Sequence, residues 1–175
     1  FSSHMSQPIT KLVVTAPISA LSLGQVSFNI LRELYKRKIQ VVLFPIGGID
    51  LSPFKVDKQF ATWLEHSINN RYTKFSRDLP SFRLWHINGA ETKYPDRQYL
   101  FSFLETSNPT DQEVNIVNQQ DGTFFSSNWT VDNLTTYGAQ KVSFIPLGLD
   151  EDFAPSADRL VSNDIVHSIL VGKAE

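Results

Sequence analysis

Short runs of β-branched and aromatic residues alternate along the chain with stretches whose apolar positions recur every three to four residues. The run from Lys11 to Ala16 is apolar at consecutive positions and bounded by Pro17, the pattern of a strand buried on both faces. A polar turn, Ser19 to Gln25, follows it. Between Gln25 and Lys38, the residues Ile30, Leu31, Leu34 and Tyr35 fall on one face of a helix, and Lys36, Arg37 and Lys38 supply positive charge at its C-terminus. Ile39 to Phe44 predicts a second strand, expected to stop at Pro45 and Gly47-Gly48. Strand, helix and strand in that order make a βαβ unit.

The alternation continues. Asp57 is placed to cap a second helix in which Phe60, Leu64, Ile68 and Tyr72 recur every four residues. Ser81 to Ile87 and Gln98 to Leu104 predict two short, aromatic-rich strands joined by a linker that holds Gly89 and Pro95. Thr110-Asp-Gln-Glu113 has the spacing of a capping box and opens a helix through Gln119. Thr123 to Ser126 predicts a strand, and Thr130 to Tyr137 a helix stopped by Gly138. Val142 to Ile145 predicts a last strand before Pro146 and Gly148. Beyond it, Ala154 to Asp164 reads as a linker and Ser168 to Val171 as strand-like.

Strands that alternate with helices require a mostly parallel sheet with helices on both faces, so the expected fold is a Rossmann-like α/β three-layer sandwich. Ligands of such sheets bind outside the carboxyl ends of the strands. That rim is expected to comprise residues 17–24, 47–50, 86–91, 105–109, 126–128 and 148–150.

Composition narrows the function. The chain has 175 residues, enough for one ordinary domain, and 41% of them are apolar, which excludes a disordered chain. Sixteen Lys and Arg against eighteen Asp and Glu leave a formal charge of −2, so a nucleic-acid partner is disfavoured, while a peripheral membrane contact stays open. No apolar run approaches a membrane span. The absence of cysteine removes disulfides, thiolate zinc sites and cysteine nucleophiles, and it fits a cytoplasmic, reducing setting. Phe1-Ser-Ser-His-Met5 reads as a tag remnant ahead of a native methionine, so His4 is given no role.

Few residues carry chemistry. The loop after the first strand holds one glycine, Gly24, so the G-x-G-x-x-G dinucleotide fingerprint is absent, although a single helix start can still meet an anion or a hydroxyl-rich ligand. Gly24 also fits an ordinary helix-start glycine. His86 and Glu105 each end a strand that feeds the rim, where an imidazole can act as a base and a carboxylate can accept from ligand hydroxyls. Their alternatives are a histidine bonded to a backbone carbonyl and a glutamate that caps loop amides. His66 and His167 do not converge with His86, so no three-histidine metal site is expected. Asp150-Glu-Asp152 can hold a divalent cation, yet the stretch also matches a helix N-terminus. No G-x-S-x-G nucleophile elbow is present, and Ser126-Ser127 lacks the flanking glycines. The Asn128-Trp-Thr130 and Asn133-Leu-Thr135 triplets match glycosylation acceptors by chance.

The stretch Phe124 to Gly138, followed by Lys141-Val-Ser-Phe-Ile-Pro-Leu-Gly-Leu-Asp150 and Phe153, resembles the end of the N-terminal domain of GT-B glycosyltransferases of the family 4 type. Leu84-Trp-His86, Phe103-Leu-Glu105 and Asn118-Gln-Gln-Asp121 precede it in the order such sequences show. The resemblance implies two Rossmann-like domains facing across a cleft. Residues 6–153 would then form the acceptor-side domain of an enzyme that transfers a sugar from a nucleotide-sugar to an acceptor hydroxyl. Residues 154–175 would form the linker and the start of a donor-binding domain, cut just after it begins.

Carried over by position, His86 would be catalytic, and Gly24, Glu105 and Ser126 would line the acceptor side. The nucleotide-sugar would serve as a co-substrate, bound mainly by the second domain, and no other cofactor or metal is implied. The first loop departs from the family in having one glycine where paired glycines are common. Two other expectations remain open: a non-catalytic carbohydrate- or nucleotide-binding module, and a metal-dependent single-domain glycosyltransferase that uses Asp150 and Asp152.

Overall fold

A computed structural model describes residues 8–148. Among them run β1 (Lys11–Ile18), α1 (Ser22–Lys36), β2 (Gln40–Ile49), α2 (Lys58–Thr73), β3 (Pro80–Leu84), β4 (Arg97–Ser102), α3 (Asp111–Gln119), β5 (Gly122–Phe125), α4 (Asn128–Thr136) and β6 (Val142–Phe144). The strands form one sheet in the order β2-β1-β3-β4-β5-β6, and every neighbouring pair is parallel. Successive residues of a strand point to opposite faces. Accordingly Phe101 and Phe124 pack with α1 and α2, while their neighbours Leu100 and Phe125 pack with α3 and α4. Two cores on opposite faces of one parallel sheet make the expected Rossmann-like three-layer sandwich.

The first core gathers Val14, Ala16 and Ile18 of β1 around Phe28, Leu31, Phe60 and Leu64. The Phe28 ring stacks on Phe54 at 3.8 Å and meets Phe60 edge-on at 5.5 Å. Asp57 caps α2 as expected, its Oδ1 accepting from the Phe60 N–H at 2.7 Å. The four-residue repeat does not hold to the end of that helix. Each step of four advances about 40° around the axis, so Phe60 and Leu64 are buried, Ile68 is half-buried and Tyr72 is 80% exposed.

Several boundaries differ from the sequence reading. Helix α1 begins at Ser22, ahead of the expected Gln25, and its N-cap Leu21 offers no side-chain cap for the sequence to advertise. It ends at Lys36 because Lys38 turns left-handed at φ 57°. Strand β2 runs through Pro45, Gly47 and Gly48 to Ile49. Between Ala16↔Pro45 and Ile18↔Ile49 it carries three residues against one in β1, a bulge that includes Gly47 at φ 75°. A proline and a bulge are tolerated there because β2 is the edge of the sheet. Strands β3 and β4 are shorter than expected, so Trp85 to Ile87 and Phe103 to Leu104 lie beyond the ladder.

The strand order reverses direction at β1, whose neighbours β2 and β3 are reached by crossovers to opposite sides, and this is the position where parallel sheets open a ligand crevice. Leu84, Phe101, Phe124 and Ser143 form one row across β3 to β6. Two residues past that row, the chain reaches His86, Phe103, Ser126 and Ile145, all leaving the sheet at its carboxyl edge.

Candidate functional site

A cleft of about 610 Å³ opens at the carboxyl ends of β3 and β4, next to the reversal point. Trp85, His86, Asn88, Phe103, Glu105 and Glu113 line it. The first three leave β3 and the next two leave β4, so parallel pairing of those strands sets the two walls side by side. Glu113 comes from the first turn of α3. Two of the residues singled out in the sequence, His86 and Glu105, therefore meet in one cleft.

Both have their polar groups free for a ligand. His86 is exposed and makes no hydrogen bond among the described residues; its ring meets the Trp85 ring edge-on at 5.2 Å. The alternative of a histidine bonded to a carbonyl is not what the fold contains. Glu105 is exposed as well, with no hydrogen bond and no ion pair among the described residues, so it caps no loop amide. Glu113 is engaged. Its Oε2 accepts from the Thr110 N–H at 2.8 Å and the Thr110 hydroxyl at 3.0 Å, completing the expected capping box, while Oε1 accepts from Asn88 Nδ2 at 3.3 Å.

The wall formed by Trp85 to Asn88 belongs to an irregular connection, residues 85–96, where a helix would ordinarily cross between parallel strands. Buried amides hold it. Gln98 Nε2 and Gln120 Nε2 each donate to the Ala90 carbonyl at 3.1 Å, and Gln98 Nε2 also donates to Gln120 Oε1 at 2.9 Å. Both glutamines are at most 2% exposed. Arg83 donates from its guanidinium to the Thr92 carbonyl, and Lys93 donates to the Gln119 carbonyl while lying 3.7 Å from Asp121. Burial lowers the Arg83 pKa from its ordinary value, against the opposing pull of the Tyr94 and Glu91 charges.

Gly24 and Ser126 do not line this cleft. Gly24 is buried in the first turn of α1, where an added Cβ would lie 2.4 to 2.5 Å from the backbone N and O and the Oγ of Ser19. Its need for glycine is steric, the close approach of the β1–α1 turn. Ser126 leaves β5 half-buried on the same rim, one strand beyond Phe103. Asp150 and Asp152 lie outside the described residues, as do the first five residues and 154–175. Among the described residues, no group of three or more His, Cys, Asp or Glu is placed to hold a metal ion, and no helix is long and apolar enough to cross a membrane.

Sequence reasoning missed Trp85, Phe103 and Glu113 as cleft residues, and Asn88 fell within the expected rim stretch 86–91 without a role of its own. Trp85 and Phe103 flank the two that were found, so an aromatic beside each rim residue was the available signal. Glu113 read only as a cap, because its contact with Asn88 spans 25 residues of sequence. Comparisons with protein-family models, with curated proteins and with solved structures give no match.

Proposed function

We propose that this chain supplies the acceptor-side domain of a nucleotide-sugar-dependent glycosyltransferase, with the cleft at the ends of β3 and β4 holding the acceptor sugar. The observation that carries the reading is the pairing in one cleft of unengaged His86 and Glu105 with the aromatic rings of Trp85 and Phe103. Sugars present apolar C–H faces and rings of hydroxyls, and that combination of flat aromatic surface with hydrogen-bonding groups complements both. The ordered resemblance to GT-B enzymes supports the same assignment.

In the proposed reaction the acceptor hydroxyl oxygen forms a bond to the anomeric carbon of the donor as the bond from that carbon to the nucleotide phosphate breaks. His86 Nδ1 or Nε2 takes the hydroxyl proton, and the nucleoside diphosphate leaves with the bonding pair. Glu105 and Asn88 orient the remaining hydroxyls, so this half contributes chiefly position and general-base chemistry. The donor is held by a partner domain. His86→Ala, tested in a form of the protein that carries donor-binding residues, is expected to lower kcat by roughly 10²-fold or more with a modest change in acceptor KM. Unchanged kinetics would remove His86 from the chemistry.

A second reading has its own support: the cleft is lined entirely by residues 85–113 and asks nothing of a second domain to bind a sugar. On that reading the chain is a carbohydrate-binding module. The two separate on turnover, since the module binds saccharide and transfers nothing from any nucleotide-sugar.

A further inference from the structure

We infer that the cleft selects its sugar by charge, favouring amino-bearing sugars over uncharged ones and rejecting phosphorylated or carboxylated ones, with Glu105 setting the preference. The inference rests on the sugar-acceptor reading above and names the class of sugar.

The nine residues that line the cleft include two carboxylates and no Lys or Arg. The two carboxylates are not equivalent. Glu113 already accepts hydrogen bonds from Thr110 and Asn88 and sits in the first turn of α3, where the helix dipole offsets its charge. Glu105 has none of these compensations among the described residues, and it follows β4 in a sheet whose net dipole is small. The cations nearest in sequence to the cleft wall are committed elsewhere. Arg83 is 9% exposed and donates to Thr92, and Lys93 is held by the Gln119 carbonyl and Asp121.

A ligand ammonium would therefore gain a charge-assisted hydrogen bond from Glu105 that a hydroxyl at the same position forms only in its weaker, neutral-donor version. A phosphate or carboxylate in the cleft would meet the Glu105 charge with no Lys or Arg lining the cleft to offset it, His86 being the one lining side chain with a basic nitrogen. Because Glu105 is exposed, screening by water limits each step of preference to about fivefold at low salt, and to less above ~0.1 M ionic strength.

The test is titration of the 175-residue chain, at low ionic strength, with three probes that share one skeleton: glucosamine, glucose and glucose 6-phosphate. Ligand-observed NMR reads the millimolar affinities of monosaccharides. The expected ranking is glucosamine first, glucose second, glucose 6-phosphate last. Glu105→Gln should bring glucosamine and glucose within twofold of each other, and Glu105→Lys should move glucose 6-phosphate to the top. Circular dichroism confirms that each variant holds its fold. Glucose binding with glucosamine and glucose 6-phosphate equal to it overturns the charge inference and leaves the sugar reading standing. A ranking that survives Glu105→Gln unaltered overturns the role of Glu105. Absence of binding by all three probes to the folded chain overturns the sugar reading, and this inference with it.

Discussion

At Gly24 an added methyl group would sit within 2.4 to 2.5 Å of three Ser19 atoms, two of them backbone. Backbone cannot swing aside as a long side chain does, so Gly24→Ala must shift the β1–α1 turn. The expected cost is roughly 1–3 kcal/mol of stability, measured by urea denaturation, the magnitude typical of overpacking. A variant as stable as the parent would show that the turn yields freely. The residue was legible in the sequence as a helix-start glycine, and steric fit is the form that role takes. His86 and Glu105 were legible for a different reason: each is the first ionisable residue after an aromatic strand, and a parallel sheet delivers such residues to its carboxyl rim. Trp85 and Glu113 were not. An aromatic beside a strand end reads equally as core, and a glutamate in a capping box reads as satisfied, because contacts such as Asn88 to Glu113 are set by tertiary packing.

Among the elements, those whose signals are local were read closely. The capping box of α3, the Asp57 cap of α2 and the left-handed Gly138 after α4 each depend on a few adjacent residues. The passage of β2 through Pro45 was not legible, because proline is tolerated in a strand only at an edge, and edge position is a property of the sheet. Of the connection from residue 85 to 96, residues 85–87 were read as strand and the rest as a linker from Gly89 and Pro95, whereas its order comes from Gln98 and Gln120, buried amides later in the chain. Gln120→Leu would leave Gln98 Nε2 without one acceptor and the Ala90 carbonyl without one donor. The expected loss is about 1–3 kcal/mol. Hydrogen exchange should also quicken at residues 86–92 before the rest of the sheet opens, because the tie it removes is local. Exchange that rises uniformly across the chain would contradict a local role for the amide pair.

For the whole molecule, the parallel sheet with helices on both faces was legible because alternation of strand and helix leaves few other architectures. Strand order was not. No local pattern says that β1 lies between β2 and β3 or that β3 pairs with β4, yet it is the pairing of β3 with β4 that sets the walls of the cleft side by side. The proposed division of labour, acceptor here and nucleotide elsewhere, is a statement about the entire rim. Its most direct test is amide NMR mapping of the chain titrated first with glucose and then with UDP-glucose. The account predicts that glucose shifts cluster on residues 85–88 and 103–106, and that the uridine diphosphate moiety adds neither new sites nor affinity. Tight, uridine-dependent binding, with shifts centred on Ser19 to Gly24, would contradict it and make the chain a nucleotide-binding domain in its own right.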